Sequence, residues 1–202
     1  MFVGFSEWGM NVSIEEAVQS VITEIQRLQK DKERVLVAID GRCASGKTTL
    51  ASILQSRLGC EIIHIDSFFL RPEQRTAERY QMPGGNVDYE RLQEEVFAPL
   101  KKGQPFCYRP FECSTQQLGK PIAVKGTGVV IFEGSYSCHL MLWEQYDLHI
   151  FLTVDEREQL IRLEKRDAAK LQAFQNRWIP LEETYFSFYD IEKRCELVFW
   201  TG

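Results

Sequence analysis

The chain has 202 residues, 44% of them hydrophobic, which supports one well-packed core and is too short for two ordinary domains. Its formal net charge of −5 gives no overall attraction to nucleic acid or to an anionic membrane surface. No apolar stretch approaches the roughly 20 residues of a membrane span, and residues 1–16 lack the features of a signal peptide. We therefore predict one cytoplasmic domain over residues 1–202, with no nucleic-acid partner and no membrane association.

The first predicted element is an amphipathic helix from Ser13 to about Asp31, within an N-terminal helix region of residues 1–33. Ser13 and Glu16 have the spacing of a capping box, in which each side chain accepts a hydrogen bond from the backbone N–H of the other residue. Apolar residues then recur at helical spacing along one face. This pattern indicates a helix that packs on a sheet and takes no part in the chemistry.

A glycine-rich loop, DGRCASGKTTL, separates an apolar strand predicted at residues 34–40 from a helix that begins near Lys47. The loop fits the phosphate-loop pattern G-x-x-x-x-G-K-S/T, in which backbone N–H groups surround a polyphosphate. In this pattern Lys47 reaches the outer phosphates, Thr48 supplies a hydroxyl to Mg²⁺, and the helix dipole favours the anion. The residues that we expect to contact the nucleotide are Gly41, Ala44, Ser45, Gly46, Lys47, Thr48 and Thr49.

The six cysteines form no C-x-x-C pair and no Cys/His cluster with zinc spacing, so we expect reduced thiols and no zinc site. Cys43 lies inside the phosphate loop, where backbone groups bind the ligand, and we interpret it as a tolerated small side chain. Its position near a helix N-terminus and near Lys47 favours a lowered thiol pKa, so that alkylation there would be inhibitory.

Four further strands and two further helices are predicted after the phosphate loop, and they alternate along most of the chain. The strands cover residues 60–66, 126–134, 146–155 and 195–199, and the helices cover residues 88–101 and 156–174. A polar, glycine-rich connection occupies residues 75–86. This alternation indicates an α/β fold with a parallel sheet of about five strands and helices on both faces. Ligands of such sheets bind at the carboxyl ends of the strands.

Two acidic residues end predicted strands on that side of the sheet. Asp66 ends the run EIIHID, and Glu133 ends the run VVIFE directly before a glycine. A phosphoryl-transfer site needs a base and metal ligands at this place, whereas a helix cap or a loop charge is the alternative for each residue. The GTPase patterns N-K-x-D and D-x-x-G and the transporter pattern L-S-G-G-Q are absent from the sequence, which argues against those classes.

Five motifs, GRCASGKTT, IDSFF, GGNVDYERL, VVIFEGSY and LEKRD, occur in this order from about residue 34 onward. Together they resemble the uridine kinase family of phosphate-loop kinases, which has nicotinamide riboside kinase and phosphoribulokinase as relatives. The resemblance implies a single-domain phosphate-loop kinase fold with a small lid at about residues 163–180. It also implies that ATP and Mg²⁺ are used and that the γ-phosphate passes to a hydroxyl of a small molecule.

Matched residue by residue, the resemblance implies that Asp66 accepts the proton of the attacking hydroxyl and touches the metal shell. Thr48 and Glu133 match the Mg²⁺ partners, and Lys47 matches the phosphate-binding lysine. Asp88, in the motif NVDYE, matches the aspartate that hydrogen-bonds the sugar hydroxyls of a nucleoside. A carboxylate suits that task because it can accept from two vicinal hydroxyls at once.

Arg162 and Arg166 lie four residues apart, so a helix places them on one face. The resemblance implies that this helix leads into the lid, whose arginines neutralise phosphate charge during transfer. Arg177 is a further lid candidate. The alternative is a solvated helix face on which Arg162 pairs with Glu158.

The loop CYRPFECST departs from the pattern with which uridine–cytidine kinases read a pyrimidine base. Tyr108 matches that pattern, but Cys113 and Thr115 stand where those enzymes carry a histidine and an arginine. We expect Tyr108 to pack against the ring of the acceptor and the discrimination between bases to be weak.

The predicted reaction is therefore ATP-dependent phosphorylation of a small molecule. A pyrimidine nucleoside is the first acceptor considered, followed by another riboside such as nicotinamide riboside, and then by a sugar or a pantothenate-like acid. A non-catalytic ATP-binding protein and a nucleotide hydrolase are the alternatives. The sequence leaves self-association open.

Overall fold

The computed structural model describes residues 10–202, with side chains described from Val12 onward, so the start of the predicted N-terminal region, residues 1–9, lies outside it. The strands of this part of the chain are β1 (Met10–Asn11), β2 (Arg34–Gly41), β3 (Glu61–His64), β4 (Phe106–Tyr108), β5 (Phe111–Glu112), β6 (Gln117–Leu118), β7 (Ile122–Val124), β8 (Gly128–Glu133), β9 (Leu148–Thr153) and β10 (Leu197–Trp200). The α-helices are α1 (Ile14–Leu28), α2 (Lys47–Leu58), α3 (Ala77–Gln81), α4 (Tyr89–Leu92), α5 (Ala98–Lys101), α6 (Leu140–Trp143), α7 (Glu156–Asp167), α8 (Leu171–Ala173), α9 (Ile179–Tyr189) and α10 (Ile191–Arg194).

Six strands form one parallel sheet in the order β1-β10-β9-β2-β8-β3. The five predicted strands make up its body, and the two-residue β1 adds a short edge beside β10. In the register of β2, Ile39 stands opposite Glu133 of β8 and Ile150 of β9. The carboxyl ends of the three central strands therefore lie together on one side of the sheet.

The core lies on both faces of this sheet, because the side chains of β2 alternate between two apolar clusters. Leu36 and Ala38 belong to one cluster, which also contains the buried side chains of α4, α5 and α9. Val35, Val37 and Ile39 belong to the other cluster, which contains the buried side chains of α1 and α2. Burial on both faces explains why β2 is a continuous apolar run and not an alternating one. The predicted coverage by helices on both faces is confirmed.

The predicted capping box starts α1. The Glu16 carboxylate accepts from the Ser13 backbone N–H at 2.8 Å, and the Ser13 hydroxyl accepts from the Glu16 N–H at 3.3 Å. Helix α2 ends at Gly59, whose left-handed conformation (φ 64°) closes the last turn. No helix in residues 10–202 combines the length and the apolar character that a membrane span requires.

Several elements differ from the sequence-based expectations. Two antiparallel ribbons, β4 with β7 and β5 with β6, were not predicted, because strands of two or three residues are too short to show an alternating pattern. The connection at residues 75–86 contains α3. Strand β3 ends at His64, so Asp66 does not end a strand; it lies in a 3₁₀ turn, Ile65–Phe68, that follows the strand.

The predicted helix at residues 156–174 is broken near its middle. Asp167 leaves the helical conformation (φ −164°, ψ 85°), and its carboxylate pairs with the Lys170 ammonium at 2.8 Å. A 3₁₀ turn, α8 and a π-helical turn at Phe174–Trp178 then lead into α9. The predicted lid region at about residues 163–180 is thus a series of short helical turns on the rim of the sheet's carboxyl side.

Candidate functional site

A cavity of about 830 Å³ opens at the carboxyl ends of the central strands. The phosphate loop, the turn after β3, the loop after β8 and the lid region form its walls. The predicted site residues that line it are Ala44, Gly46, Lys47, Thr48, Thr49, Asp66, Cys113, Glu133, Arg162 and Arg166, together with the lid candidate Arg177. Gly41, Ser45, Asp88 and Tyr108 were also predicted but lie outside its lining.

The phosphate loop has a backbone that suits an anion. Ala44 (φ 60°) and Gly46 (φ 97°) are both in the left-handed region, a conformation that turns successive N–H groups into a concave anion site. Gly41 has a different role, because a Cβ placed there would stand 1.9 Å from the carbonyl oxygen of Leu152 on β9. The Ser45 N–H donates to the Arg42 carbonyl at 3.1 Å and so is already used inside the loop.

Lys47 is the cation of this loop and is only 8% exposed. Its ammonium donates to the carbonyls of Gly41 at 2.6 Å and Arg42 at 2.9 Å. A buried ammonium needs such partners, and carbonyl dipoles supply them without a fixed opposite charge. The lysine is therefore held at the cavity wall by groups that leave its full positive charge available to a phosphate.

A hydroxyl and a carboxylate meet at the start of α2. The Thr48 hydroxyl donates to Glu133 Oε2 at 3.1 Å, and His64 Nδ1 lies 2.5 Å from Glu133 Oε1. The contact with Glu133 raises the pKa of His64, against the opposing effect of burial. Residues 12–202 hold no cluster of three or more His, Cys, Asp or Glu side chains arranged for a metal. Paired hard oxygen atoms do fit Mg²⁺, which keeps several waters and takes one or two protein oxygens beside phosphates.

Asp66 reaches the cavity from the turn after β3. Burial raises the pKa of this carboxyl, and the nearby carboxylates of Glu133 and Glu182 raise it further, while Lys47 and His64 oppose the rise. A carboxyl with a raised pKa is a stronger base than an ordinary aspartate, which suits it to accept a proton at neutral pH.

Asp40, directly before the phosphate loop, is a residue whose role the sequence did not indicate. It is fully buried and accepts four hydrogen bonds, from the N–H groups of Gly41 (2.7 Å), Tyr136 (3.1 Å) and Cys138 (2.9 Å) and from the Tyr185 hydroxyl (2.8 Å). Burial raises its pKa to about 6, although these hydrogen bonds and Lys47 act in the opposite direction. Asp40 thus joins the phosphate loop, the loop after β8 and α9.

Glu182 on α9 is the second residue that sequence reasoning missed. It is 5% exposed and lines the cavity. Its carboxylate accepts from the Cys43 N–H at 2.9 Å and from the Ser135 hydroxyl at 2.6 Å. One N–H of the phosphate loop is therefore occupied by a side chain of the helix that follows the lid. No motif or strand end marks this acid in the sequence, so only the tertiary contact could have identified it.

The prediction of a lowered pKa at Cys43 is wrong. Burial raises the pKa of this thiol to about 12, and Glu182 raises it further, while Lys47 opposes the rise. The thiol lies beneath the loop, where Gln159 Nε2 is 3.2 Å from its sulfur. Burial outweighs the helix dipole and the lysine, so Cys43 is the tolerated core side chain that was also expected.

The sequence left open whether Arg162 faces the site or pairs with Glu158 on a helix face, and in the structure it does both. Its Nε pairs with Glu158 at 2.8 Å, as expected for a helix face, yet the side chain also lines the cavity. Its Nη2 donates to the Thr201 carbonyl at 2.6 Å, and the Thr201 hydroxyl donates to the Ser45 carbonyl at 2.6 Å. Arg162 therefore fastens the C-terminal segment to the phosphate loop in addition to facing the cavity.

Among the described residues, the guanidinium groups of Arg166 and Arg177 are not paired with a carboxylate, whereas that of Arg162 is. Arg166 lies over the ring of Phe174 at 5.0 Å, and Arg177 lies over the ring of Trp178 at 4.8 Å. Both line the cavity, and neither has a carboxylate within 4.0 Å among residues 12–202. Aromatic rings hold such cations without neutralising them.

Asp88 is not part of the cavity lining, although Asn86, two residues before it, is. Its Oδ1 accepts from the Arg91 N–H at 3.0 Å and caps α4, and the residue is 1% exposed. Its Oδ2 has no hydrogen-bond partner among residues 12–202 and is 3.6 Å from Arg71 Nε. A buried carboxylate oxygen without a hydrogen bond is unusual, because its desolvation is left uncompensated.

Tyr108 differs most from its predicted role. It is 2% exposed, and its ring stacks on Phe68 with the ring centroids 5.2 Å apart, inside the apolar cluster. The expected contact with an acceptor ring is therefore corrected: β4 turns Tyr108 into the core. Cys113, by contrast, is exposed on the turn between β5 and β6 and lines the cavity, while the Thr115 hydroxyl stays beside Glu112.

A protein-family model described as an AAA domain matches residues 37–177. A search of curated proteins returned no match. Among solved structures, the chain is similar to one described as "a Possible Uridine Kinase from Bacillus stearothermophilus", with 20% identity, a TM-score of 0.67, and coverage of 91% of this chain and 99% of that one.

Two further structures are similar. One, from Silicibacter sp. TM1040, is described as a "putative fructose transport system kinase", with 21% identity, a TM-score of 0.64, and coverage of 94% of this chain and 100% of that one. The other is D-glycerate 3-kinase from Cryptococcus neoformans var. grubii, with 16% identity, a TM-score of 0.60, and coverage of 84% and 87%. At these identities the likeness concerns the fold, so the predicted phosphate-loop kinase fold and its resemblance to uridine kinases are confirmed at that level.

Proposed function

The chain belongs to the family described as an AAA domain, and on this premise we propose that it transfers the γ-phosphate of ATP to a hydroxyl of a small molecule. One observation carries the proposal: a single cavity at the carboxyl ends of the parallel strands is lined by Lys47, Thr48, Asp66 and Glu133. These are a phosphate-binding cation, a hydroxyl, a base and a carboxylate, the groups that phosphoryl transfer to an alcohol requires.

Nucleotide phosphates bind the N–H groups of the phosphate loop and the Lys47 ammonium. The paired oxygens of Thr48 and Glu133 would hold Mg²⁺, which neutralises charge on the phosphates. The Thr48 hydroxyl donates to Glu133 Oε2 at 3.1 Å, so both oxygen atoms already lie together, and this hydrogen bond would give way to the metal.

Asp66 takes the proton of the acceptor's hydroxyl. As that proton passes to the carboxylate, the new bond between the acceptor oxygen and the γ-phosphorus forms and the bond from phosphorus to the ADP oxygen breaks. Its raised pKa supports this assignment, because burial and two nearby carboxylates make Asp66 a better proton acceptor than a surface aspartate. Arg166 and Arg177, with Arg162 behind them, would neutralise the charge that develops on the transferred group.

The acceptor is a small alcohol, and a uridine-kinase-like nucleoside is the finer hypothesis. Among residues 12–202, the Oδ2 of Asp88 has no hydrogen bond and lies 3.6 Å from Arg71 Nε, and an acceptor hydroxyl that donates to it would fill its missing hydrogen bond. The buried Tyr108 and the thiol of Cys113 offer no group that reads a pyrimidine. We therefore propose an acceptor that is not selected by a pyrimidine base, which keeps other ribosides, sugars and pantothenate-like acids among the candidates.

The deciding experiment measures ADP release from MgATP with and without a panel of acceptors, including uridine, cytidine, nicotinamide riboside, simple sugars and pantothenate. Stimulation by one acceptor supports the kinase. Nucleotide binding without turnover would instead identify an ATP-binding protein, and turnover that no acceptor changes would identify a hydrolase. A cytoplasmic location and the lack of nucleic-acid or membrane partners stay predictions.

A further inference from the structure

Two segments, 69–86 and 113–116, contribute to the cavity lining outside the phosphate loop and the lid region. We call this part the acceptor end. The residues that line it are Phe69, Leu70, Arg75, Tyr80, Asn86, Cys113 and Gln116. Arg75 is the single charged side chain of this set.

The guanidinium of Arg75 is fixed in place but not neutralised. Its Nε donates to the Leu70 carbonyl at 3.0 Å, and its central carbon lies 5.8 Å from the ring centroid of Phe111, which is 4% exposed. Within residues 12–202, its two terminal nitrogens have no hydrogen-bond acceptor, and no carboxylate lies within 4.0 Å of the side chain. Up to four N–H donors are thus left at the acceptor end.

In the described part of the chain, the neighbouring arginines of the same segment do have anionic partners, unlike Arg75. Arg71 has Gln74 and the carboxylates of Glu73 and Asp88 as partners within 4.0 Å. Arg79, four residues after Arg75, donates to two carbonyls and forms a bidentate pair with Glu90 at 2.7 and 2.8 Å. Of these three arginines, only the one that lines the cavity lacks an anionic partner.

Arg75 also lies near the proposed base. Burial raises the pKa of the Cys113 thiol, Arg75 opposes that rise, and Asp66 adds to it. All three residues, Asp66, Arg75 and Cys113, line the same cavity. A single small molecule could place a hydroxyl at Asp66 and a second group at Arg75.

We infer that the acceptor carries an anionic group, a carboxylate or a phosphate, which the guanidinium of Arg75 binds while the hydroxyl faces Asp66. A planar guanidinium with two free nitrogens matches the two oxygens of either anion, and this charge-assisted pair is stronger than its hydrogen bonds to the neutral carbonyls of a ring. This inference rests on the proposed function, because it names the class of alcohol that the same site takes.

Cys113 provides a test that needs no knowledge of the natural acceptor. Iodoacetate and iodoacetamide both alkylate a thiolate by displacing iodide, and they differ in that only iodoacetate carries a carboxylate. Both rates are proportional to the same thiolate fraction, so the ratio of the two rates at one cysteine does not depend on that fraction. The ratio therefore reports how the local charge acts on the carboxylate of iodoacetate. The control is Cys107, which is also exposed and lies outside the cavity lining. Labelling at each cysteine is measured by peptide mass spectrometry.

We expect the iodoacetate to iodoacetamide ratio at Cys113 to exceed that at Cys107 by about fivefold at low salt, and to fall towards it at high salt. Arg75→Gln should remove the excess, Arg75→Lys should keep part of it, and Arg57→Gln, on the outer face of α2, should keep all of it. An equal ratio at the two cysteines overturns the inference, and so does an excess that survives Arg75→Gln in a protein with unchanged thermal unfolding.

Matched acceptors give the second readout. ADP release from MgATP is compared for D-glycerate and glycerol, glycerol 3-phosphate and glycerol, and D-gluconate and D-glucose, with uridine as a neutral nucleoside. We expect the anionic member of at least one pair to be preferred by about tenfold in kcat/KM, and this preference to be lost in Arg75→Gln. The carboxylate and phosphate arms distinguish the two anions.

The two proposals fail in different ways. Phosphorylation of uridine or another neutral alcohol at the higher rate overturns the anionic acceptor and leaves the kinase intact. A lack of stimulation by every alcohol, together with a charge excess at Cys113, overturns the kinase and leaves an anion-binding cavity. If no alcohol stimulates ADP release and Cys113 shows no charge excess, the kinase and the anionic acceptor are both overturned.

Discussion

The two ends of the cavity are built in opposite ways. At the phosphate end, residues 41–49 are consecutive in the chain and offer backbone N–H groups, with Lys47 as the cation of this loop that lines the cavity. At the acceptor end, side chains come from segments 69–86 and 113–116, which are joined only by the fold. Backbone recognition needs a fixed local conformation, whereas side-chain recognition needs residues that lie far apart in sequence to meet.

This difference explains why the phosphate end has a recognisable sequence motif and the acceptor end has none. A loop conformation is encoded by a few neighbouring residues, so its pattern is short and strict. An acceptor site can be rebuilt by changing scattered side chains without disturbing the loop, so one phosphate-binding end can serve many alcohols. Variants at each end should therefore give different kinetic signatures.

The largest effect is expected from Lys47→Ala at the phosphate end. The change removes the cation that meets the outer phosphates, so phosphate transfer should fall by at least about 10³-fold, with weaker ATP binding. Steady-state ADP release and titration with MgATP measure both quantities. Arg57→Ala on the same helix is the matched control and should behave as wild type. Turnover that survives in the Lys47 variant would show that the loop does not bind the transferred phosphate.

Asp66→Asn tests the proposed base, which lines the same cavity as both ends. The amide keeps the shape of the side chain but cannot take a proton, so turnover should drop by about 10²-fold, in the range of a lost general base. Binding of MgATP should change little. Single-turnover rates and calorimetric titration separate the two properties, and a variant that transfers phosphate at the wild-type rate would leave Asp66 as a structural acid.

Asp40→Asn should affect stability more than chemistry. The amide NH₂ would face donors that now bond to the carboxylate, which costs about 3 kcal/mol. Burial raises the pKa of folded Asp40 to about 6, above its value in the unfolded chain. Protonation of this group therefore stabilises the folded wild type at low pH. This contribution to the free energy of unfolding is lost as the pH rises from about 4 to about 6. The penalty of the variant should therefore shrink by about 2 kcal/mol between pH 4.5 and pH 7.5 in urea unfolding. A pH-independent penalty contradicts the raised pKa.

Asp88→Asn is expected to give the smallest effect and is specific to the acceptor end. Asparagine is as good a helix N-cap as aspartate, so the cap on α4 and the thermal unfolding midpoint should be kept. The variant replaces the unpartnered Oδ2 by an amide, so acceptor KM should rise by about tenfold if that oxygen binds a hydroxyl. An unchanged KM for every acceptor would make Asp88 a helix cap only.

The sheet could be predicted because its strands are buried on both faces and read as continuous apolar runs. The runs at residues 34–40 and 126–134 correspond to β2 and β8, and the capping box of Ser13 marked the start of α1. The antiparallel ribbons and the broken lid could not be predicted in this way. Their strands and helical turns have two to five residues, too few for the two-residue period of a strand or the 3.6-residue period of a helix to repeat recognisably.

The cavity lining was predictable where one motif or one strand end supplied the residue, as for Lys47, Thr48 and Glu133. Asp40 and Glu182 were missed because their importance lies in hydrogen bonds to backbone N–H groups of other segments, which leave no local pattern. Tyr108 was misplaced for a related reason. Its side chain could face the cavity or the core, and only the pairing of β4 with β7 decides between the two.

The contact between Gly41 and Leu152 separates two kinds of constraint inside one motif. Gly41 is fixed by the neighbouring strand, because any side chain there would meet the Leu152 carbonyl at 1.9 Å whether or not a nucleotide is bound. Lys47, in contrast, donates to two carbonyls of its own loop, those of Gly41 and Arg42, and meets no such steric limit from a neighbouring strand. In a library of single substitutions selected for expression alone, position 41 should stay glycine while position 47 varies. A descendant that had lost its chemistry would still display the first glycine of the loop.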